Sequence, residues 1–118
     1  MKKFAFVVAL FAVPAFATAS FASTAFADEA AGKKAFEGKC AACHGKDGKG
    51  KTKQGEKMKI GDMTSAAWKK EFGADKIKST IETGFTREKD GVKQEMKPVK
   101  GLAPDVLESL VKHVQGLK

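Results

Sequence analysis

The pattern of apolar and polar positions divides this chain into a leader and a series of short helical segments. Residues 4–27 are almost entirely apolar or small, and charged residues become frequent from Asp28 onward. Residues 104–117 show the clearest helical periodicity, and Pro104 suits the first turn of a helix. The apolar stripe of this segment consists of Val106, Leu107, Leu110, Val111, Val114 and Leu117. We therefore expect an amphipathic helix at the end of the chain.

Three other helices are predicted before it. Residues 28–40 place Gly32 and Phe36 on one face, and a glycine on such a face indicates close contact with another helix. Residues 64–84 predict two short helices separated by Gly73. The fold class predicted from these segments is all-α, with about four short helices.

Two segments lack a periodic pattern and are expected to be loops. Residues 45–63 contain five glycines and six lysines, a composition that disfavours regular structure. Residues 85–101 are charged and aperiodic. No segment alternates with a period of two, so the sequence predicts no sheet.

The leader has the three parts of a secretory signal peptide. Met1-Lys2-Lys3 is a positively charged N-terminal region, an apolar run follows, and Ala25-Phe26-Ala27 has the small-x-small pattern of a cleavage site. We expect residues 1–27 to be a signal peptide cleaved after Ala27, and residues 28–118 to form one exported domain. Cleavage at Ala17-Thr18-Ala19, or retention of the run as a membrane anchor, are the alternatives.

Charge and composition narrow the function of the mature domain. Without the two leader lysines, 20 basic residues face 14 acidic ones, a formal charge of +6. Arg87 is the one arginine and aromatic residues are few, which argues against a nucleic-acid partner. A domain this small buries limited apolar surface, and a covalently bound cofactor would stabilise it.

Cys40-Ala41-Ala42-Cys43-His44 is the most informative motif. C-x-x-C-H is the attachment signature of c-type haem. Two thiols three residues apart on a helical turn can form thioethers with the two vinyl groups, and the following histidine lies under the iron. The motif predicts one covalent haem c, bound through Cys40 and Cys43, with His44 as the proximal ligand.

Three other roles for the two cysteines fit less well. A thioredoxin-like C-x-x-C follows a strand, and none is predicted here. A zinc site needs four ligands. The cysteines and histidines available are those of the motif and His113, which is remote in the sequence. A disulfide across so short a loop would stabilise the chain little.

The sixth iron position has four candidates, Met58, Met63, Met96 and His113. Met96 lies 52 residues after His44, in a hydrophilic segment where no helical face explains it, and Pro98 would stiffen that loop. We therefore predict Met96 as the second axial ligand. Met58 and Met63 are expected to pack at the haem rim, and His113 to contact another helix.

Together these features resemble the small class I bacterial cytochromes c. The resemblance rests on Gly32-x-x-x-Phe36, the C-x-x-C-H motif, the Met96-Lys97-Pro98 loop and the last helix. It implies that the first and last helices cross, with Gly32 and Phe36 at the crossing, and that they enclose one haem with an exposed edge. In this family an aromatic residue commonly occupies the position of His113 here, which favours a packing role for His113.

Two departures from the family pattern concern the axial ligands. Members often have a proline after the proximal histidine whose carbonyl accepts the second imidazole N–H; this chain lacks it, so a carbonyl within residues 45–61 is expected to orient His44. The family also places proline directly after the distal methionine, whereas Lys97 intervenes here.

A haem closed by His44 and Met96 would have no open position for a substrate. We therefore expect a periplasmic electron carrier rather than an enzyme, either free or as a subunit of a larger oxidoreductase. The alternative is a haem sensor or peroxidase-like enzyme with an open sixth position.

The predicted partners are redox proteins with an acidic docking surface. Membrane association is expected only through such partners or an uncleaved leader. The lysines that would form the docking surface are Lys46, Lys49, Lys51, Lys53, Lys57, Lys59, Lys93, Lys97 and Lys100. The alternative is that these lysines only make the protein surface soluble.

Overall fold

The computed structural model describes residues 24–118. Within them lie six helices and one two-stranded hairpin: α1 Thr24–Lys39, α2 Ala41–His44, α3 Lys53–Lys57, α4 Ala66–Glu71, α5 Ala74–Thr83, β1 Phe85–Lys89, β2 Val92–Met96 and α6 Pro104–Gly116. The predicted signal peptide lies almost wholly outside the described residues. No helix among residues 24–118 has the length and apolarity needed to cross a membrane.

The two longest helices, α1 and α6, form the main helix–helix contact of the fold. At their crossing, a Cβ on Gly32 would overlap the Ser109 carbonyl oxygen and lie 2.5 Å from the Ser109 carbonyl carbon. Backbone therefore meets backbone at this point, which only glycine permits. One turn further along α1, the fully buried ring of Phe36 lies 5.2 Å from the His113 ring, centroid to centroid. The predicted roles of Gly32, Phe36 and His113 at the crossing are confirmed.

The prediction that the chain has no sheet is wrong. Strands β1 and β2 pair antiparallel, with Phe85 opposite Met96 and Arg87 opposite Gln94. Asp90 and Gly91 connect them with φ values of 52° and 73°, the two positive φ values of a type I′ turn. The Asp90-Gly91 pair is a sequence signal for a hairpin turn. The strands were missed because polar Arg87 and Gln94 occupy inward positions, so the sequence does not alternate between apolar and polar residues. The fold is thus mostly helical with one hairpin, not all-α.

The segment expected to be a loop, residues 45–63, contains the short helix α3. Thr52 caps it by accepting a 2.9 Å hydrogen bond from the Gly55 amide, so a good N-cap overrides the high glycine content. The two helices predicted within residues 64–84 are present as α4 and α5, and Ser65 caps α4 by accepting from the Trp68 amide at 3.2 Å.

The core forms a wall around a cavity rather than a solid centre. Among the described residues, only Phe36 and Leu110 are large side chains shielded completely. The other buried apolar residues are Cys40, Met63, Phe72, Ile77, Ile81, Leu107, Val111 and Val114. Many of these side chains line the cavity described next.

Candidate cofactor site

The C-x-x-C-H motif occupies a single helical turn between α1 and the following loop. Cys40 precedes α2 as its N-cap residue, the His44 amide donates to the Cys40 carbonyl at 3.0 Å, and Gly45 ends the turn with φ 77°. Residues three and four apart on such a turn are neighbours. Cys40, Cys43 and His44 are therefore held together by local backbone structure, and no disulfide joins the two cysteines.

The glycine-rich segment after the motif folds back and fixes this turn. The Gly50 amide donates to the His44 carbonyl at 2.7 Å, and the Thr52 hydroxyl donates to the Cys43 carbonyl at 2.7 Å. A Cβ on Gly55 would overlap the Gly50 carbonyl oxygen and lie 2.7 Å from that of Cys43. The last carbonyls of α2, which have no partner within the helix, are thus satisfied by the loop.

A largely apolar cavity lies beside this turn. It has about 770 Å³ of atom-free space, including its open mouth. Helix α5 contributes Ile77 and Ile81, and the hairpin contributes the inward residues of both strands. The full lining is Phe36, Cys40, His44, Met58, Ile60, Gly61, Met63, Trp68, Phe72, Ile77, Thr80, Ile81, Phe85, Arg87, Gln94, Glu95, Met96 and Val114.

His44 has the chemistry of a ligand to a metal-containing cofactor. Its Nδ1 atom is buried and has no hydrogen-bond partner among the described residues, so the expected carbonyl contact from residues 45–61 is absent. Burial lowers the pKa of the imidazole below its usual 6.5, which favours the neutral form at pH 7. A neutral imidazole is the form that binds a metal, so the residue fits an axial position on haem iron.

Cys40 does not have the properties of a redox-active thiolate. Burial, and secondarily Cys43, raises the pKa of the Cys40 thiol to about 11, against a smaller opposing effect of Lys39. Redox-active cysteines have lowered thiol pKa values instead. Within residues 24–118, no three side chains of His, Cys, Asp or Glu converge to hold a metal ion. The thioredoxin-like and zinc interpretations thus gain no support from the described residues.

The three candidate methionines all reach the same cavity as His44, but their environments differ. The Met58 sulfur accepts a 3.0 Å hydrogen bond from Gln54 Nε2. Met63 is 7% exposed and belongs to the core. Met96 is half-buried at the end of β2, opposite Phe85. His113, the fourth candidate, packs on Phe36 and is not among the cavity-lining residues.

The paired polar residues Arg87 and Gln94 of the hairpin also line the cavity, and they were not identified from the sequence. Arg87 Nε donates to Gln94 Oε1 at 2.6 Å, and Arg87 Nη1 donates to Glu71 Oε1 at 2.6 Å. Gln94 Nε2 in turn donates to the carbonyls of Met58 and Lys59, at 2.9 Å and 2.5 Å. The Asp-Gly turn, once recognised, would have paired Arg87 with Gln94 by register, but their other partners are remote in sequence.

Comparison with known proteins identifies the family to which this chain belongs. Residues 29–118 match the family model of cytochrome c, and the chain belongs to the cytochrome c family. A solved structure, the KustC0563 c-type cytochrome, is similar to this chain with 30% identity and a TM-score of 0.59, over 74% of this chain and 96% of that one. No curated protein matches the chain.

Family membership confirms the predicted resemblance and the general function. Cytochromes c bind haem covalently and use it to transfer electrons, and Cys40 and Cys43 have the spacing that this attachment requires. The orphaned, shielded imidazole of His44 beside an apolar cavity agrees with that cofactor.

Proposed function

We propose that this chain is a single-haem electron carrier in which Cys40 and Cys43 hold the haem, and His44 and Met96 are its axial ligands. The observation that supports it is the meeting of His44, from α2, and Met96, from β2, at one apolar cavity. These residues are 52 positions apart in the chain and come from separate elements. Bound haem supplies reversible one-electron chemistry between ferric and ferrous iron.

Met96 is the methionine best placed for the sixth position. Gln54 already engages the Met58 sulfur, and Met63 is enclosed in the core. The backbone around Met96 is tightly constrained, because a Cβ on Gly84 would lie 2.8 Å from the Met96 carbonyl oxygen and 2.9 Å from Pro98 Cδ. A thioether is a weak donor, so ligation by Met96 is expected to raise the reduction potential.

The surroundings of the site favour electron transfer over catalysis. With His44 and Met96 both committed to iron, no coordination position remains for a substrate. Ile77, Ile81 and Phe85 belong to the apolar wall of the cavity, and such a wall would keep water away from a bound haem iron. Electron exchange through an exposed haem edge, as the family resemblance implies, is then the function that we propose.

Optical spectra test the proposed ligands. The ferric wild type should show the sulfur-to-iron charge-transfer band, and the ferrous wild type should bind carbon monoxide poorly. Met96→Ala should lose the band and bind carbon monoxide readily, whereas Met58→Ala, the matched control in the same cavity, should keep the wild-type spectrum. A wild type that lacks the band and binds carbon monoxide freely would refute Met96 ligation and favour the sensor or peroxidase-like alternative.

We further propose that exposed lysines near the cofactor dock an acidic redox partner. The loop lysines Lys46, Lys49 and Lys51 and the hairpin-side Lys97 and Lys100 are all exposed. Lys93, on β2, already pairs with Glu95 at 3.0 Å, so it is expected to contribute less. The rate of electron exchange with an acidic carrier should fall as salt rises, because screening shortens the range of attraction. A salt-independent rate would contradict the docking proposal.

The site of action that we propose is the periplasm, after removal of residues 1–27. The mass of the protein isolated from an exporting host should equal that of residues 28–118 plus one haem. A mass that retains the leader would instead support a membrane anchor.

A further inference from the structure

Gln94 is a buried polar side chain in the wall of a largely apolar cavity. It is 6% exposed, and Ser109 is the one other buried polar residue among those described. Ser109 donates locally to the Asp105 carbonyl within α6. Gln94 bonds instead to groups far away in sequence. Burial of an amide group costs free energy unless the amide is hydrogen-bonded, so Gln94 can stay buried only while these partners remain in place.

The amide of Gln94 joins the hairpin to the segment that follows α3. Its Nε2 donates to the carbonyls of both Met58 and Lys59. Lys59 has a φ of 50°, which is uncommon for a residue other than glycine, and in this conformation the two successive carbonyls reach one amide. Lys59 Nζ also donates to the Asp90 carbonyl in the hairpin turn at 3.2 Å. The segment at residues 58–59 therefore contacts both the middle and the tip of the hairpin.

Arg87 connects the other side of Gln94 to helix α4. Its Nε donates to Gln94 Oε1, and its Nη1 forms an ion pair with Glu71 at 2.6 Å. The guanidinium carbon also lies 5.3 Å from the centroid of Phe85 and 5.8 Å from that of Phe72. Both ends of the Gln94 side chain are thus held by groups outside its own strand.

The strand that Gln94 anchors is the one that ends in Met96. Residues two apart on a strand share a face, so Gln94 and Met96 both face the cavity. A hairpin of two strands is marginally stable by itself, and its position depends on contacts with the rest of the protein. We propose that Gln94 is a positioning residue that keeps Met96 at the iron and so keeps the sixth position closed; this rests on the proposed Met96 ligation.

Binding of imidazole to the ferric holoprotein tests this role, because imidazole must displace the sixth ligand. Gln94→Leu keeps the side-chain volume and removes all its hydrogen bonds. Loss of such buried bonds should raise the imidazole affinity about tenfold or more. Gln94→Glu keeps an acceptor for Arg87 but cannot donate to the Met58 and Lys59 carbonyls, and it should raise the affinity similarly. Glu88→Gln, an exposed change on the other strand of the same hairpin, should stay within about twofold of wild type.

The spectra and the imidazole affinities together distinguish the positioning role of Gln94 from the ligation of iron by Met96. A wild type with the sulfur-to-iron band, and Gln94→Leu with unchanged imidazole affinity, would overturn the positioning role and leave Met96 ligation intact. A wild type without the band would refute Met96 ligation itself. A residue that only stabilises the fold would lower the melting temperature without changing imidazole affinity well below that temperature. If Gln94→Leu fails to incorporate haem, Gln94→Glu decides by the same criterion.

Discussion

Replacement of Gly32 by alanine would test the most closely packed contact of the fold. A new Cβ would overlap the Ser109 carbonyl oxygen and lie 2.5 Å from its carbon, with Leu110 N at 3.0 Å. Carbon atoms in contact are ordinarily ~3.5–4.0 Å apart. The obstacle is backbone, which cannot rotate away, so α1 and α6 must separate by about 1 Å.

Two opposing effects determine how much Gly32→Ala lowers the free energy of unfolding. Overpacking of a well-packed core typically costs ~1–3 kcal/mol, and the better helix propensity of alanine returns up to ~1 kcal/mol. We place the net loss at about 2 kcal/mol, because separation also loosens the Phe36–His113 contact. For a domain of this size, that corresponds to a melting temperature about 8–16 °C lower.

Gly38 provides a matched control within the same helix. A Cβ there would meet nothing within 4 Å, so Gly38→Ala should gain up to ~1 kcal/mol from helix propensity alone. Thermal unfolding of both holoproteins, followed by circular dichroism, should therefore move in opposite directions. A Gly32→Ala protein that melts at or above the wild-type temperature would refute close backbone packing at the crossing.

Three further predictions concern His113, the single tryptophan and the cofactor. Burial, and secondarily Lys33, lowers the pKa of His113 below 6.5, against smaller opposing effects of Glu29 and Glu37. The unfolded chain therefore binds this proton more readily, so the contribution of His113 to stability is complete above pH 6.5 and declines as pH falls through the lower native pKa. The melting temperature should fall more between pH 7 and 5 for wild type than for His113→Phe, and parallel pH profiles would contradict this. Trp68 is the one tryptophan in a chain without tyrosine and lines the cavity, so haem should quench its fluorescence until denaturant restores it; bright emission from the folded holoprotein would place Trp68 far from the haem. Protein made without haem should show no cooperative thermal transition, since the core encloses a cavity and so few large side chains are fully shielded. A sharp calorimetric transition of that apoprotein would show that the fold does not need its cofactor.

The cofactor motif could be predicted because its geometry is local. One helical turn brings Cys40, Cys43 and His44 together whatever the rest of the fold does. The helix at the end of the chain and the crossing at Gly32 were also predictable. The first is encoded by a regular apolar stripe. For the second, a glycine on a helical face predicted close contact with another helix, and the family resemblance implied that this partner is the last helix.

The hairpin and its anchoring could not be predicted from apolar periodicity. Arg87 and Gln94 occupy inward positions, where a period-two pattern would require apolar residues. Their polarity is tolerated because Glu71 and the carbonyls of residues 58–59 satisfy them. Those partners lie 16 and about 35 positions away, and no sequence pattern brings them together.

The sequence by itself determined the attachment chemistry and the cytochrome c class, because thioether spacing and helical periodicity are properties of consecutive residues. Tertiary structure alone decided that Met96 ends a strand in the cavity wall and that the Met58 sulfur accepts a hydrogen bond from Gln54. It also decided that His44 Nδ1 has no carbonyl partner within residues 24–118. Each of these depends on contacts between separate elements. Such contacts are decided by how the whole chain packs, not by the order of neighbouring residues.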